Sequence, residues 1–90
     1  MAIENRHIII NEKGLHARAS AKLVETVERF NANAIISKDD ISVSGDSIMG
    51  LLMLAASKGQ EINIITSGPE EKKLSQALTN LISNRFEEDL

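Results

Sequence analysis

Four short runs rich in β-branched residues alternate with helical segments along this chain, and that order limits the folds open to it. Such residues favour strands because their side chains pack well on a pleated surface. The second and third runs are separated by only Lys38-Asp39-Asp40, a spacer of hairpin length, so we predict that they pair antiparallel. The four predicted strands are residues 3–10, 34–37, 41–44 and 61–66.

Three further segments show the periodicity of amphipathic helices. Residues 16–30 form the first, after the turn signal Asn11-Glu12-Lys13-Gly14. A second, brief helix is predicted after Ser47, ending near Lys58-Gly59, because glycine supplies the left-handed residue that closes helices. The last helix opens at Gly68-Pro69-Glu70-Glu71, with proline in its first turn and acids near the positive end of its dipole. Its predicted buried stripe is Leu74, Ala77, Leu78, Leu81, Ile82 and Phe86.

The predicted element order is therefore βαββαβα, an α+β arrangement in which the helices cover one face of a sheet and the other face meets water. Right-handed crossovers between strands that are not neighbours would split each βαβ unit and give a fully antiparallel sheet. Periodicity alone leaves the strand order open. Because no repeat or linker interrupts the sequence, we expect residues 1–90 to form one domain.

Composition excludes several classes of function. The net charge of −3 and the presence of only two aromatic residues argue against a nucleic-acid partner, which needs a basic surface and stacking platforms. The chain has no cysteine, and its two histidines stand at unrelated positions without clustered carboxylates, so we predict neither a metal site nor a cofactor. No apolar run approaches the ~18 residues of a membrane span, and the first residues do not resemble a signal peptide. We therefore expect a cytoplasmic protein without membrane insertion.

His16 carries the strongest chemical signal, because it lies at a predicted junction between strand and helix in the segment Gly14-Leu15-His16-Ala17-Arg18-Ala19-Ser20. The first amides of a helix lack intrahelical partners and the macrodipole adds positive potential, so an anion is stabilised there. An imidazole with its ordinary pKa of about 6.5 offers a neutral ring nitrogen as a nucleophile, and a phosphoryl group accepted by it would meet those amides. Arg18 would supply a forked countercharge.

A lone histidine near a helix start is more often a cap or a solvated residue, and that alternative stays open on the sequence alone. His7 illustrates the plain case: it precedes Ile8-Ile9-Ile10 with neither a glycine turn nor a helix start after it, so we interpret it as an ordinary strand residue. The chain shows no serine, histidine and aspartate set arranged for hydrolysis. A stoichiometric carrier is therefore favoured over a self-sufficient enzyme.

Ser47 opens a second segment of interest, in which it is placed to cap the brief helix. The residues that follow it include more apolar side chains than one helix face can bury. Either some of them are exposed as a docking surface, for which methionine is well suited, or all of them belong to the core. Phosphorylation of Ser47 would add ~1.5–2 negative charges beside this surface. The apolar residues are Ile48, Met49, Leu51, Leu52 and Met53.

Two segments together resemble motifs of the HPr family. The active-site loop of that family is matched by Gly14-Leu15-His16-Ala17-Arg18, and its regulatory-serine helix is matched by Ser47-Ile48-Met49-Gly50. HPr proteins are the histidine-containing phosphocarriers of the bacterial phosphoenolpyruvate-dependent phosphotransferase system, and the resemblance extends to their nitrogen-regulatory paralogues. The resemblance covers nearly all ninety residues. It implies an open-faced β-sandwich with strand order 1-4-2-3 and three helices on one face.

The resemblance also implies a role for each matching residue. His16 would accept a phosphoryl group from enzyme I and pass it to an enzyme IIA domain, with Arg18 assisting. Ser47 would be a regulatory site for a serine kinase/phosphorylase. The residues that would match the partner-docking surface are Ala17, Ser20, Ile48, Met49 and Leu52.

One position departs from the family pattern: the chain has Ala19 where the family usually has proline after the arginine. Proline would fix the first helical turn, whereas alanine keeps an N–H that proline lacks, so we expect transfer to survive. The runner-up hypothesis is a regulatory binding module that is switched by phosphorylation without passing the phosphate on. We expect a monomer, and the sequence leaves open whether its acceptors serve sugar uptake or nitrogen regulation.

Overall fold

The computed structural model describes residues 1–87 and confirms the predicted α+β fold and the order βαββαβα. The elements follow one another closely, and a short 3₁₀ turn (Arg85–Glu87) comes after the last helix. The elements are β1 (Ile3–Ile8), α1 (Ala17–Glu28), β2 (Asn33–Lys38), β3 (Ile41–Ser44), α2 (Ile48–Leu54), β4 (Glu61–Ser67) and α3 (Glu71–Ser83).

The four strands form one antiparallel sheet in the order β1-β4-β2-β3. The register runs from Ile3 opposite Thr66 to Ile8 opposite Glu61 between β1 and β4, and β4 also pairs with β2. The two strands joined through α1 are thus separated by β4, and the two joined through α2 are separated by β2. Each βαβ unit is split, as predicted from the crossovers.

The core lies between one face of the sheet and the helices. Ile36, Ile62 and Ile64 point inward from the sheet and are almost completely buried, whereas Ile8 and Ile35 point to the opposite face and are exposed. This alternation follows from the period of two in a strand, where successive side chains point to opposite faces. The helices contribute Leu23, Leu51, Leu54, Leu74 and Leu78 to the same core.

The second helix is shorter than predicted. It ends at Leu54, and Ala55 adopts the left-handed conformation (φ 51°) that closes it, so the prediction of an end near Gly59 is wrong. Ala56 is buried and its carbonyl oxygen accepts a hydrogen bond from the Leu15 N–H, which a continuing helix would prevent. Gly59 lies in the following turn, where its N–H donates to the Ile9 carbonyl oxygen.

Three ends of two other elements, β1 and α3, also differ from the prediction. β1 ends at Ile8, and Pro69 lies before the N-cap of α3 rather than in its first turn. α3 ends at Ser83, so Phe86 does not extend its stripe; Phe86 is nevertheless fully buried, with a left-handed backbone (φ 55°). Lys22 on α1 donates to the Phe86 carbonyl oxygen at 3.0 Å, so the turn is held against α1 by packing and by this hydrogen bond.

Candidate functional site

His16 is the N-cap residue of α1. Its backbone is extended (φ −75°, ψ −179°), and its carbonyl oxygen accepts the first intrahelical hydrogen bond, from the Ser20 N–H at 2.9 Å. Its side chain is half-buried, while those of Ala17 and Arg18 beside it are exposed. The imidazole therefore lies at a helix start and within reach of solvent, as the sequence predicts.

The first turn of α1 offers an environment suited to an anion. Its amides, those of Ala17, Arg18 and Ala19, precede the first residue that can bond back within the helix. Within this turn, which the structure describes completely, there is no acidic side chain to neutralise the positive end of the dipole. A negatively charged group attached to His16 would therefore be stabilised here.

The loop before His16 depends on Gly14. Its φ is +63°, and a Cβ built on it would lie 2.4 Å from the Ala56 carbonyl oxygen. The next residue, Leu15, is buried and donates its N–H to that same oxygen at 2.9 Å. Glycine is required here on two counts, because of its left-handed backbone and because of the close approach of another segment.

Ala19 does not prevent α1 from forming where the family pattern has proline. The helix begins at Ala17, two residues earlier, and the Ala19 side chain is packed into the core at 1% exposure. The first turn of α1 therefore forms without the backbone constraint of a proline ring at this position.

Ser20 is placed differently from the prediction. It is fully buried and its hydroxyl donates to the Leu15 carbonyl oxygen at 3.2 Å, so its side chain forms no part of a docking surface in this structure. Its position on the inner face of α1, one turn after the N-cap, explains this. Ser20 instead supports the peptide group that leads into His16.

Ser47 is the N-cap of α2, as predicted. Its backbone is extended (φ −115°, ψ 107°) and its Oγ accepts a hydrogen bond from the Gly50 N–H at 3.0 Å. Asp46 beside it is exposed and accepts a hydrogen bond from the Ser44 hydroxyl at 2.6 Å. Ser47 therefore has a structural role in the unmodified chain.

The apolar side chains of α2 divide between core and surface. Leu51 and Leu54 are buried, whereas Met49 and Met53 are each 70% exposed. Ile48 and Leu52 are also exposed, at 40% and 37%. Of the two alternatives that the sequence leaves open, the structure supports the exposed surface. We refer to Ile48, Met49, Leu52 and Met53 as the α2 patch.

His7 has the position of a plain strand residue. It lies in β1 opposite Ile62 and is half-buried, and this burial lowers its pKa below the ordinary value for histidine. Desolvation disfavours the charged imidazolium, which gives the shift its direction. His7 and His16 thus occupy different environments although they are the same residue type.

Asn11 belongs to the site, although no feature of the sequence distinguishes it from an ordinary turn residue. It is fully buried, and its Nδ2 donates to the Gly14 carbonyl oxygen at 2.9 Å. An asparagine after a strand is typical of a turn, so its presence predicts a loop and nothing more. Only its burial, which depends on the rest of the fold, distinguishes it.

The fold and the position of His16 can be compared with those of known proteins. The family model described as "PTS HPr component phosphorylation site" matches residues 3–84. The chain therefore belongs to the HPr family of phosphocarrier proteins of the phosphotransferase system. Within residues 1–87, none of the helices combines the length and the apolar character that crossing a membrane would require.

Individual relatives agree with this assignment. A phosphocarrier protein HPr of Xylella fastidiosa is 45% identical over 87 residues, which cover 97% of this chain and 98% of that protein. One from Neisseria meningitidis is 49% identical over 80 residues, covering 89% and 90%. The crystal structure of HPr-C-His from Thermoanaerobacter tengcongensis superposes with a TM-score of 0.92 at 35% identity, covering 98% of this chain and 99% of that one.

Proposed function

We propose that this protein accepts a phosphoryl group on His16 from phosphorylated enzyme I and passes it to enzyme IIA domains. The observation that carries the proposal is the position of His16: its half-buried side chain belongs to the N-cap residue of a helix whose described first turn contains no acid. Family membership supplies the class of partner. Residues 1–90 act as one domain, of which the structure describes residues 1–87. The domain works without a cofactor or a nucleic-acid partner.

The transfer balances without any further reactant. The lone pair of a neutral imidazole nitrogen forms a bond to phosphorus while the bond between phosphorus and its donor group on enzyme I breaks. The phosphoryl oxygens accept hydrogen bonds from the amides of the first turn of α1, which are oriented before the reaction. Arg18, exposed two residues further on, adds a planar guanidinium that offers two parallel hydrogen bonds to the same oxygens. Transfer to enzyme IIA repeats the step with the acceptor as nucleophile.

We further propose that the α2 patch, together with the exposed Ala17, forms the docking surface for both partners. The four patch residues are exposed on one short helix, and methionine adapts to differently shaped surfaces. Since one docking surface serves donor and acceptor in turn, the protein works as a monomer that binds one partner at a time. Its place of action is the cytoplasm.

Phosphoryl transfer is tested by loading the protein with labelled phosphate from phosphoenolpyruvate and enzyme I, and then adding a panel of enzyme IIA domains. We expect an acid-labile, base-stable label that moves to at least one acceptor within seconds to minutes. The exposed α2 patch also suits a regulatory module that is switched by phosphorylation alone. Label that enters the protein but never leaves it, across the whole panel, would favour that module and contradict the carrier.

Ser47 is proposed as a regulatory site for a serine kinase/phosphorylase, because a phosphate there would place ~1.5–2 negative charges beside the α2 patch. Ser47→Asp keeps an oxygen acceptor at the N-cap and adds charge, so we expect the KM for enzyme I to rise about tenfold with kcat unchanged. Ser47→Ala loses the bond to the Gly50 N–H and should lower the free energy of unfolding by about 1 kcal/mol, with KM unchanged.

Urea unfolding and steady-state transfer kinetics measure the two Ser47 effects separately. Ser44→Ala is the control, since it removes only an exposed hydrogen bond to Asp46 and should change neither quantity appreciably. If Ser47→Asp and Ser47→Ala have the same KM, charge at this position does not regulate docking.

A further inference from the structure

Asn11 closes the turn that leads to His16 from two sides. Its side-chain Nδ2 donates to the Gly14 carbonyl oxygen at 2.9 Å, and its own carbonyl oxygen accepts from the Gly14 N–H at 3.3 Å. The residue is completely buried, unlike Glu12 and Lys13 between the two bonded positions, which are exposed. A buried N–H donor is costly unless it is bonded, so the hydrogen bond from Nδ2 favours this closed form of the turn.

The hydrogen bond from Asn11 holds one end of a peptide group whose other end is also held. The Gly14 carbonyl and the Leu15 N–H belong to the same planar unit. Asn11 binds its oxygen, and the Ala56 carbonyl oxygen binds its N–H at 2.9 Å. The plane of this peptide group is therefore fixed from opposite sides, by the segment after β1 and by the segment after α2.

The next peptide group is fixed as well, because the Leu15 carbonyl oxygen accepts from the buried Ser20 hydroxyl at 3.2 Å. Two successive planes before His16 thus have defined orientations. The direction of the Cα–Cβ bond of His16 depends on these planes, and so does the point from which its imidazole extends. Among the side chains of residues 1–87 with a hydrogen bond to these two planes, Ser20 belongs to α1 and Asn11 lies outside it.

We propose that Asn11 is a positioning residue for phosphoryl transfer at His16, acting through the Gly14–Leu15 peptide group. The inference rests on the proposed function of His16 and adds a residue that positions it. Asn11 acts without contact to the phosphoryl group; it sets where the imidazole meets the phosphorus. Transfer requires alignment of the attacking nitrogen with the bond that breaks, and a displacement of about 1 Å can cost roughly 100-fold in rate.

The test replaces Asn11 by aspartate, which has nearly the same shape but, when ionised, has no donor for the Gly14 carbonyl oxygen. We expect kcat for phosphoryl acceptance from enzyme I to fall at least tenfold while KM stays within twofold, since the α2 patch is intact. Hydrogen exchange of the Leu15 and His16 amides should be at least tenfold faster. These amide measurements are made on the unphosphorylated protein.

Asn5→Asp is the matched control. The Asn5 Nδ2 donates to the Ser75 hydroxyl at 2.7 Å, between β1 and α3, so this variant also loses a partly buried amide donor but leaves the loop before His16 intact. Asn5→Asp should retain wild-type kcat and wild-type exchange at Leu15 and His16. Asn11→Ser is the second variant, for the case in which Asn11→Asp does not fold. Its side chain is shorter than that of asparagine and does not reach the Gly14 carbonyl oxygen, so it should show the same loss of kcat.

The outcomes separate this inference from the proposed function. If the wild-type protein accepts no phosphate, the function of His16 is wrong, and the exchange of the Leu15 and His16 amides still decides whether Asn11 orders the loop. If the wild-type protein is active and both Asn11 variants retain its kcat, the inference is overturned. It is also overturned if neither Asn11 variant folds, because Asn11 then serves the whole fold, or if Asn5→Asp loses kcat equally.

Discussion

Replacing His16 by alanine is expected to abolish the labelling of this protein by phosphoenolpyruvate and enzyme I. The imidazole nitrogen is the only nucleophile in the proposed mechanism, and Ala17 and Arg18 beside it offer no substitute. The fold should persist, because His16 is half-buried and its main-chain contact with the Ser20 N–H does not depend on the side chain. Acid-labile label is counted after a fixed incubation and falls to the level of the blank.

His7→Ala is the control for this loss. His7 lies in β1 opposite Ile62, and its replacement should leave the acid-labile label at the wild-type level. Circular dichroism of both variants establishes that they are folded. Label that persists in His16→Ala, or that disappears in a folded His7→Ala, would show that His16 is not the acceptor.

Replacing Gly14 by alanine should destabilise the protein and impair transfer together. The left-handed φ of +63° alone costs a residue with a Cβ of order 1–3 kcal/mol. The added Cβ would also lie 2.4 Å from the Ala56 carbonyl oxygen and 2.8 Å from the Ser57 Cα, so backbone on both sides must move apart. We expect the free energy of unfolding to fall by about 3 kcal/mol or more, and kcat by about 100-fold.

Gly59→Ala is the control, because it introduces backbone strain without a steric clash and so separates these two effects. Gly59 also has a positive φ, +90°, but a Cβ there would meet nothing within 4 Å. Urea unfolding should therefore show a smaller loss for Gly59→Ala, and transfer should stay at the wild-type rate. If the two variants lose equal stability and Gly14→Ala keeps its kcat, the contact with Ala56 does not support the site.

The sequence allowed the prediction of those parts of the site that depend on local signals. The position of His16 at a helix start follows from the glycine turn before it and the apolar periodicity after it, and both signals lie within the same segment. The N-cap role of Ser47 is local in the same way, because its acceptor contact is with an amide three residues further on. Short-range hydrogen bonds and periodicity are what a single sequence records most directly.

The remaining features depend on contacts between distant segments, which periodicity does not encode. The strand order 1-4-2-3 came from the resemblance and not from the pattern of residues. The early end of α2 accompanies the hydrogen bond between the Leu15 N–H and the Ala56 carbonyl oxygen, and Asn11 is buried in the same loop before His16. Because that contact joins residues about forty positions apart, neither segment alone could reveal it.

A phosphoryl group on the His16 imidazole is expected to lie against the first amides of α1. NMR of the ¹⁵N-labelled protein before and after loading by enzyme I and phosphoenolpyruvate measures this placement. The ³¹P spectrum should show one phosphohistidine signal coupled to a ring nitrogen of His16, and the largest amide shifts should fall at Ala17, Arg18 and Ala19. Phosphorus on any other residue, or amide signals of this turn that do not shift, would show that the phosphoryl group does not lie at the start of α1.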